Sequence, residues 1–339
     1  MRAIVLETPE QLRLSDIGEP PIPGPGEALV RVHRVGVCGT DYHAFRGKQP
    51  FFTYPCILGH ELGVEVVAVG SEVHHVTVGV RCAVRPYLEC GRCASCLRGK
   101  PNCCVNIQVL GVHVDGGMRE LVLLPASHLH NVEGLTYDQL ALVEPLAIGA
   151  HAVARAQLAV GERVLVVGAG PIGLAVTQFA LLAGAQVLVM DISEQRLAFV
   201  QRYMPTSTVI NGQGSGLDAL RRITGDDLPT AVFDATGSSY SMQSAFSYVG
   251  HGGRLIFVGL FSGDVTFHDP LFHRREMTLL SSRNALSADF QRCVTAIKEG
   301  QIDLMPWITH RATIETFIED FPRWIDPASG IIKGIIAIR

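Results

Sequence analysis

The sequence has 339 residues, more than one typical hydrophobic core accommodates, so its length predicts two domains. Apolar residues make up 47% and charged residues 18%, which is ordinary for a globular chain. A net charge of −4 argues against partners such as nucleic acid or an anionic membrane surface, since both attract basic proteins. No run of about 18 apolar residues occurs and the N-terminus lacks a signal-peptide pattern, so we expect a cytoplasmic protein.

The order of apolar segments predicts one β-rich domain and one α/β domain. The first 140 residues read as β-rich, with strands at Ala28–Val32 and Val64–Val69 between Gly and Pro clusters. Further on, short apolar strands alternate with helical stretches, and the strands are expected at Val164–Val167, Val187–Met190, Ala231–Phe233 and Leu255–Val258. This alternation predicts a doubly wound parallel (Rossmann) sheet within residues 147–283. Roughly the last 55 residues leave the pattern, so residues 284–339 are expected to rejoin domain 1–146.

Four of the nine cysteines lie in one short segment with the spacing C-x2-C-x2-C-x7-C. The chain is long, the cysteine count is odd and no export signal is present, so metal ligands are favoured over disulfides. Four thiolates fill a tetrahedral shell and leave no position for chemistry, which predicts a structural zinc held by Cys90, Cys93, Cys96 and Cys104. An iron–sulfur cluster is the alternative, and Cys103 could replace Cys104 as the fourth ligand.

A second group of metal-ligand residues is dispersed along the chain. Cys38 lies in GVCGTDYH, His60 and Glu61 lie in LGHE, and Glu144 lies in ALVEPLAIGAH. Together they offer S, N and O donors, and a catalytic zinc takes three protein ligands with a fourth position open. Each residue has an alternative explanation on its own: a lone cysteine is often a small buried hydrophobe, and an acid before Pro145 suits a helix N-terminus.

The segment GAGPIG matches the dinucleotide-binding pattern G-x-G-x-x-G. It follows a predicted strand and begins a predicted helix, Ile172–Leu182, which is the context that this motif requires. Gly168 permits the tight turn, Gly170 lets the backbone approach a pyrophosphate, and Gly173 lets the helix pack on the strand. The helix N-terminus, which begins with Pro171 and Ile172, would attract the phosphates.

An acidic residue at the end of the next strand predicts the choice of cofactor. Asp191 could hold both ribose hydroxyls and would repel a 2′-phosphate, which favours NAD over NADP. A turn or helix-cap role is the alternative for Asp191. Arg196 could instead favour NADP, but its position inside a predicted helix makes that interpretation less favoured. We keep Arg196 as a candidate cofactor-binding residue.

These motifs resemble, in order and spacing, those of the zinc-containing medium-chain alcohol dehydrogenases. The resemblance covers the chain from end to end through CGTD, GHE, the cysteine lobe at about 88–106, VEP and GAGPIG. It implies that domain 1–146 with 284–339 is GroES-like, that two zinc ions bind per chain, and that the protein is a homodimer or homotetramer. It also implies that Cys38, His60 and Glu144 surround the catalytic zinc. A glutamate at position 144 is typical of the sorbitol-dehydrogenase-like branch, where Glu61 can exchange with it.

The substrate is predicted from resemblance as well. The segments GKQPFFTYPCILGHE, GLFSGDVTFHDPLFHRRE and SSRNA are similar to those of bacterial sugar-acid dehydrogenases of the L-galactonate or L-gulonate 5-dehydrogenase type. The expected reaction is hydride transfer to NAD from a secondary hydroxyl, such as the C5 hydroxyl of one of these acids. Polyol, threonine-type or general secondary alcohol oxidation is the alternative.

Residues beside Cys38 are predicted to carry the proton released in that reaction. Zinc would act as a Lewis acid that lowers the pKa of the substrate hydroxyl. Thr40 is expected to accept the proton first, and His43 resembles the family's next relay group. Asp41 is expected to fix a ligand histidine, His60. The alternative for Thr40 and His43 is an ordinary polar loop.

Several further residues are candidates for cofactor or substrate contacts. Lys333, in IIKGIIAI, resembles a family residue that reaches the pyrophosphate, although a solvated surface lysine would look the same. Arg283 could bind a substrate carboxylate or form a structural salt bridge. Phe51, Phe52 and His113 are candidate pocket walls, though aromatic residues more often belong to the core.

Two other classes of protein compete with this interpretation. One is a zinc-free quinone or enone reductase on the same scaffold, which usually lacks the cysteine lobe and GHE. The other is a non-catalytic zinc ribbon that binds nucleic acid or protein, which the acidic net charge opposes. Two zinc ions per chain are expected for the dehydrogenase, one for the ribbon and none for the reductase.

Overall fold

The chain divides into two compact units. The structure is a computed structural model that describes residues 1–48 and 52–339. The first unit comprises Met1–Glu144 and Leu286–Arg339, and the second comprises Pro145–Ala285. Each junction lies two residues from the boundary predicted from the sequence. Among the described residues, no helix combines the length and the apolar character needed to cross a membrane.

Strands dominate the first unit, whereas strands and helices alternate in the second. In chain order, the strands are β1 (Arg2–Thr8), β2 (Gln11–Asp16), β3 (Glu27–Val37), β4 (Cys56–Ile57), β5 (Glu61–Val69), β6 (Arg81–Val84), β7 (Tyr87–Leu88), β8 (Gln108–Val109), β9 (Leu121–Pro125), β10 (Leu129–Asn131), β11 (Arg163–Val167), β12 (Gln186–Asp191), β13 (Thr208–Asn211), β14 (Ala231–Asp234), β15 (Arg254–Phe257), β16 (Thr278–Ser281), β17 (Ile308–Thr313) and β18 (Lys333–Ala337). The helices are α1 (Gly39–Phe45), α2 (Ala94–Leu97), α3 (Tyr137–Ala141), α4 (Val143–Ala156), α5 (Pro171–Leu182), α6 (Glu194–Tyr203), α7 (Gly216–Thr224), α8 (Ser239–Ala245), α9 (Asp269–Arg274), α10 (Ser287–Lys298) and α11 (Phe317–Trp324).

The first unit is built around a sheet in the order β10-β6-β5-β3-β18-β17, with β9 also paired to β3. Apolar residues alternate with polar ones in β3, so Val30, Val32 and Val35 are buried in the core of this unit. β18 pairs antiparallel with β3 and parallel with β17. The C-terminal segment therefore rejoins the first unit, as the sequence indicated. Smaller sheets, β2-β1-β4 and β7-β8, complete the unit.

The second unit contains a six-stranded parallel sheet in the order β13-β12-β11-β14-β15-β16. Renumbered within the unit, this is the order 3-2-1-4-5-6 of a doubly wound dinucleotide-binding fold, so the predicted fold class is confirmed. The central strands are apolar because both faces of the sheet are covered. β13 and β16, which the sequence analysis did not predict, are edge strands with several exposed residues and no long apolar run.

Candidate active site

Three polar side chains of the first unit converge where α1 and β5 begin. Cys38 is the N-cap residue of α1, and His60 directly precedes Glu61, the first residue of β5. A sulfur, a ring nitrogen and a carboxylate oxygen from these residues all lie within 4.8 Å of one another. His60 and Glu61 are buried and Cys38 is half-buried. Such a set of S, N and O donors is the kind that zinc accepts.

The electrostatics of this cluster favour a bound cation. Burial alone would lower the pKa of His60, but the anionic groups of Cys38, Asp41 and Glu144 raise it well above its usual value. The acidic groups that stabilise the protonated ring of His60 would stabilise a bound cation in the same way. In addition, Nδ1 of His60 is buried without a hydrogen-bond partner. The residues present thus fit a zinc ion.

Glu144, the predicted third ligand, is engaged by another residue. It lies on α4 and is 6% exposed, and its Oε1 accepts a hydrogen bond from the hydroxyl of Tyr87. Burial raises the pKa of Glu144. In the described part of the chain, the cluster of close ligand atoms contains Glu61 and does not contain Glu144. The geometry therefore favours Glu61 over Glu144 as the third protein ligand.

Lys333, the predicted contact of the pyrophosphate, lies at the same cluster and is paired with Glu61. Its Nζ donates to both carboxylate oxygens of Glu61, at 2.7 and 2.8 Å, and to the carbonyl oxygen of Val37 at 3.1 Å. Both charged groups are buried, with side chains 2% and 0% exposed. An ammonium group has three N–H donors. β18 pairs with β3, which also pairs with β5, and this brings the side chain of Lys333 to Glu61.

The predicted proton relay lies on and beside α1. Oγ1 of Thr40 is 3.7 Å from Sγ of Cys38. His43 is exposed on the same helix, and partial burial of its ring, with the nearby cations Arg46 and Lys48, lowers its pKa. His43 is therefore a neutral base at pH 7, as a proton acceptor must be.

Asp41 does not make the predicted hydrogen bond to His60. Its Oδ2 accepts a hydrogen bond of 2.8 Å from the backbone N–H of Cys38, so the carboxylate caps the first turn of α1. Its Oδ1 and Nδ1 of His60 are both buried without a hydrogen-bond partner. The prediction is therefore wrong in its contact, although Asp41 still raises the pKa of His60 by its charge.

The four-cysteine lobe has the geometry of a closed metal site. The sulfurs of Cys90, Cys93, Cys96 and Cys104 lie within 4.8 Å of one another, and none is in a disulfide. The sulfurs of Cys93 and Cys96 are 3.5 Å apart. Zn–S bonds of about 2.3 Å in a tetrahedron imply a similar separation, about 3.8 Å. Cys103 is exposed, whereas Cys104 is buried within the cluster, so Cys104 and not Cys103 is placed to be the fourth ligand of a metal ion.

The glycine motif connects β11 to α5 in the second unit. Gly168 has a φ of +99°, which other residues adopt only with strain. Gly170 is the N-cap residue of α5 and Pro171 follows it, with no side chain capping the first turn. A Cβ atom on Gly173 would lie 1.7 Å from the carbonyl oxygen of Gly168. The first backbone N–H groups of the helix, including that of Ile172, are therefore available to an anion.

Asp191 and Arg196 both lie at this turn. Oδ2 of Asp191 accepts a hydrogen bond of 2.6 Å from the backbone N–H of Ala169, and Oδ1 accepts one of 2.8 Å from Ser193. Arg196 lies in α6, and its Nη1 would be 3.7 Å from a Cβ atom on Gly170. The turn thus has an acid on one side and a cation on the other.

The candidate pocket residues have separate surroundings. Phe51 lies outside the described residues, and Phe52 packs against the core of the first unit. His113 is exposed, and its Nδ1 accepts a hydrogen bond of 3.1 Å from Val109. Arg283 is exposed in the second unit, two residues after β16.

Two residues at the candidate site were missed by the sequence analysis. Tyr87 binds Glu144, which lies 57 residues away along the chain. Gly36 faces Glu61, since a Cβ atom on Gly36 would lie 2.1 Å from Oε2 of that glutamate. No local sequence pattern predicts either contact.

Comparisons with known proteins identify the family of the chain. Residues 24–134 match the model of the alcohol dehydrogenase GroES-like domain, and residues 171–299 match that of the zinc-binding dehydrogenases. The chain is 41% identical over 337 residues to L-galactonate-5-dehydrogenase of Escherichia coli K12, covering 99% of this chain and 98% of that protein. It is 33% identical to L-arabinitol 4-dehydrogenase of Penicillium rubens, covering 91% of this chain and 84% of that protein.

Solved structures are similar over the full length. The alcohol dehydrogenase RspB from Escherichia coli CFT073, complexed with the cofactor NADH, has a TM-score of 0.92 and 29% identity, covering 100% of this chain and 99% of that one. Matching family models and a near full-length relative at 41% identity establish the family. The chain is an oxidoreductase that belongs to the zinc-binding dehydrogenases with an alcohol dehydrogenase GroES-like domain.

Proposed function

We propose that the protein oxidises a secondary hydroxyl of a sugar acid, with NAD as the hydride acceptor. The observation that carries this proposal is the similarity, over 99% of the chain, to an L-galactonate-5-dehydrogenase. An acid of that type, oxidised at C5, is our first candidate substrate.

Cys38, His60 and Glu61 are the residues that would hold the catalytic zinc, with Glu144 beside them. A zinc ion bound there would supply a Lewis acid that lowers the pKa of the substrate hydroxyl. Lys333 holds Glu61 through both of its carboxylate oxygens, and burial excludes water from this pair. The ligand side chains are thereby kept in place before substrate binds.

Thr40 and His43 would carry the proton of the substrate hydroxyl to solvent. The hydroxyl of Thr40 lies beside the sulfur of Cys38, so it is placed to accept a proton and to donate its own. His43 is exposed and has a lowered pKa, so its neutral ring can take up a proton at pH 7 and release it to water.

The glycine motif would bind the cofactor. The uncapped N-terminus of α5 offers backbone N–H groups to the pyrophosphate, and Arg196 lies on the same side of the turn as Gly170. The carboxylate of Asp191 can accept hydrogen bonds from ribose hydroxyls and repels a 2′-phosphate, which supports NAD over NADP. NAD, when bound, accepts the hydride.

A screen of NAD reduction over sugar acids and the matching polyols tests the proposal. We expect the highest kcat/KM with an acid of the L-galactonate type, little activity with NADP, and none in Cys38→Ser with any substrate. Activity confined to simple primary alcohols, or a preference for NADP, would contradict the proposal.

A polyol is the second candidate substrate, because the chain is also similar to an L-arabinitol 4-dehydrogenase. The two candidates differ in whether the substrate carries a carboxylate. A pentitol that is oxidised faster than any sugar acid in the same screen would favour the polyol.

We also propose that the protein is a homodimer or homotetramer. In the described part of the chain, β16 is an edge strand that carries a Leu279 side chain 40% exposed to solvent. Such an edge can pair with another chain. Sedimentation velocity tests this, and a monomer at all accessible concentrations would contradict it.

A further inference from the structure

We propose that Arg221, Arg274 and Arg275, called the arginine cluster below, bind a phosphate group at the edge of the parallel sheet opposite the glycine motif. The ligand class is a phosphate, either free or carried by a small molecule. All three residues belong to the second unit. None of them has a part in the proposed hydride transfer, so the phosphate site does not depend on that function.

The arginine cluster lies at the amino-terminal edge of the sheet. Arg275 precedes β16, and its carbonyl oxygen accepts a hydrogen bond of 2.7 Å from the backbone N–H of Gly252, just before β15. Arg221 lies in the last turn of α7, which ends before β14 begins. The strands are parallel, so their amino ends share one edge of the sheet. The glycine motif follows β11 and Asp191 ends β12, and both therefore lie at the carboxyl edge, where ligands of such sheets normally bind.

Arg275 is a buried cation with only part of its hydrogen-bonding capacity in use. It is 8% exposed, and its Nη1 donates to the carbonyl oxygens of Ser247 and Val249 at 2.9 and 2.5 Å. Within the described residues, Nε and Nη2 have no hydrogen-bond partner, and neither is among the fully buried atoms that lack one, so both face solvent. A guanidinium has five N–H donors, so three of them are open to a ligand.

Two further arginines bring positive charge to Arg275. Arg274 is adjacent to it in sequence. Arg221 lies on α7, which packs against the short helical turn Phe246–Tyr248 that contains Ser247. Burial and the charges of Arg274 and Arg221 lower the pKa of Arg275. In the part of the chain that the structure describes, none of the three arginines forms an ion pair. A bound anion would therefore relieve the repulsion between them.

Stabilisation of a helix end explains only part of this arrangement. Cations are common near helix C-termini, because the last backbone carbonyls carry partial negative charge. This accounts for the contacts of Arg275 with Ser247 and Val249, which lie at the end of the turn after α8. It does not account for the two cations beside Arg275, because each of them destabilises the buried charge.

Phosphate is the anion that suits the arginine cluster. At pH 7 it carries a charge of about −1.5 to −2 and several strong acceptor oxygens, whereas a carboxylate carries a single charge. A guanidinium binds phosphate through two parallel N–H···O bonds. The open Nε and Nη2 of Arg275 provide one such pair of donors. The exposed side chains of Arg221 and Arg274 supply the additional positive charge that a dianion requires.

The test measures binding of inorganic phosphate to the full-length protein saturated with NADH, which occupies the other candidate phosphate site at the glycine motif. The width of the phosphate resonance in phosphorus NMR reports binding at pH 7, and chloride keeps the ionic strength constant. The proteins compared are wild type, Arg221→Ala, Arg274→Ala and Arg222→Ala. Arg275 is retained in all of them, because its hydrogen bonds to backbone carbonyls stabilise the fold.

Arg222→Ala is the matched control. Arg222 is exposed in the same last turn of α7, and its loss changes the net charge equally, but it is not among the groups that act on Arg275. We expect saturable binding in wild type. Arg221→Ala and Arg274→Ala should each weaken it by roughly tenfold, since each removes a charged contact to the ligand. Arg222→Ala should change the affinity by less than about twofold, because solvent and salt screen a more distant exposed charge.

Three results would overturn the proposal. They are the absence of saturable binding in wild type, an equal loss of affinity in all three variants, and wild-type affinity in both Arg221→Ala and Arg274→Ala. The same titration with glycerol phosphate distinguishes the two sources of the ligand. Tighter binding of glycerol phosphate than of inorganic phosphate would identify a carried phosphate, and the reverse order a free one; both orders must show the same dependence on Arg221 and Arg274.

Discussion

Replacement of Gly173 by alanine is expected to damage both the stability of the second unit and cofactor binding. The added methyl group would lie 1.7 Å from the carbonyl oxygen of Gly168 and 2.8 Å from its carbonyl carbon. Unstrained contacts between such atoms begin at about 3.5 Å, so the turn must move by roughly 1.8 Å. Overpacking of this kind costs about 1–3 kcal/mol of the free energy of unfolding. A shift of about 1 Å in a positioning element can reduce activity roughly 100-fold.

Gly170→Ala is the matched control in the same motif. A methyl group there would meet only Nη1 of Arg196, at 3.7 Å, which is an ordinary contact, and φ at Gly170 is −76°. Alanine is a poorer N-cap than glycine but loses less backbone entropy on folding, so stability should change by about 1 kcal/mol or less. NADH binding should still weaken, because the methyl group occupies the side of the turn that the pyrophosphate approaches.

Two measurements separate these effects. Thermal unfolding followed by far-UV circular dichroism reports stability, and titration of NADH fluorescence reports binding. We expect Gly173→Ala to lower both the melting temperature and the affinity for NADH, and Gly170→Ala to lower only the affinity for NADH. Wild-type behaviour of Gly173→Ala in both measurements would refute the close approach between α5 and the turn. Undiminished NADH binding by Gly170→Ala would mean that the pyrophosphate lies elsewhere.

Four further substitutions test the metal sites, the cofactor site and the pH dependence of stability. Cys38→Ser should abolish turnover and leave the melting temperature nearly unchanged, and retained activity would contradict the catalytic zinc site. Cys93→Ala should lower the melting temperature before it alters activity, and an unchanged melting temperature would contradict the structural zinc site. Asp191→Ala should weaken NAD binding and reduce the preference for NAD over NADP. If the ratio of kcat/KM with NAD to kcat/KM with NADP stays unchanged, another residue sets that preference. The pKa of His128 is lowered by burial and by the nearby Arg85 to about 4, compared with 6.5 in the unfolded chain. Between these two pH values the unfolded state therefore binds more protons than the folded state. The free energy of unfolding should fall as the pH falls from 6.5 to about 4. Both tryptophans belong to the first unit and can report this unfolding. His128→Gln should make the pH dependence shallower, and the remainder is due to His130, whose pKa burial also lowers to about 4. An unchanged profile would count against His128 as a source.

The sequence by itself determined the features whose residues lie close together along the chain. The four cysteines lie within 15 residues, so a single loop can fold round one ion wherever the rest of the chain goes. GAGPIG carries its own turn geometry, and the apolar run of β11 before it indicates a strand covered on both faces. The edge strands β13 and β16 were missed because half-exposed strands lack such a run.

The tertiary structure alone decided which charged groups meet at the catalytic site. Strand β3 pairs Gly36 with Glu61 of β5 on one side and Val37 with Gly334 of β18 on the other. That register places Lys333 against Glu61, 272 residues away in sequence. The resemblance predicted Glu144 as the third zinc ligand with Glu61 able to exchange with it, and the structure shows that Glu61 is paired with Lys333 and Glu144 with Tyr87. Contacts of this kind depend on strand pairing between distant segments, which no local pattern of residues encodes.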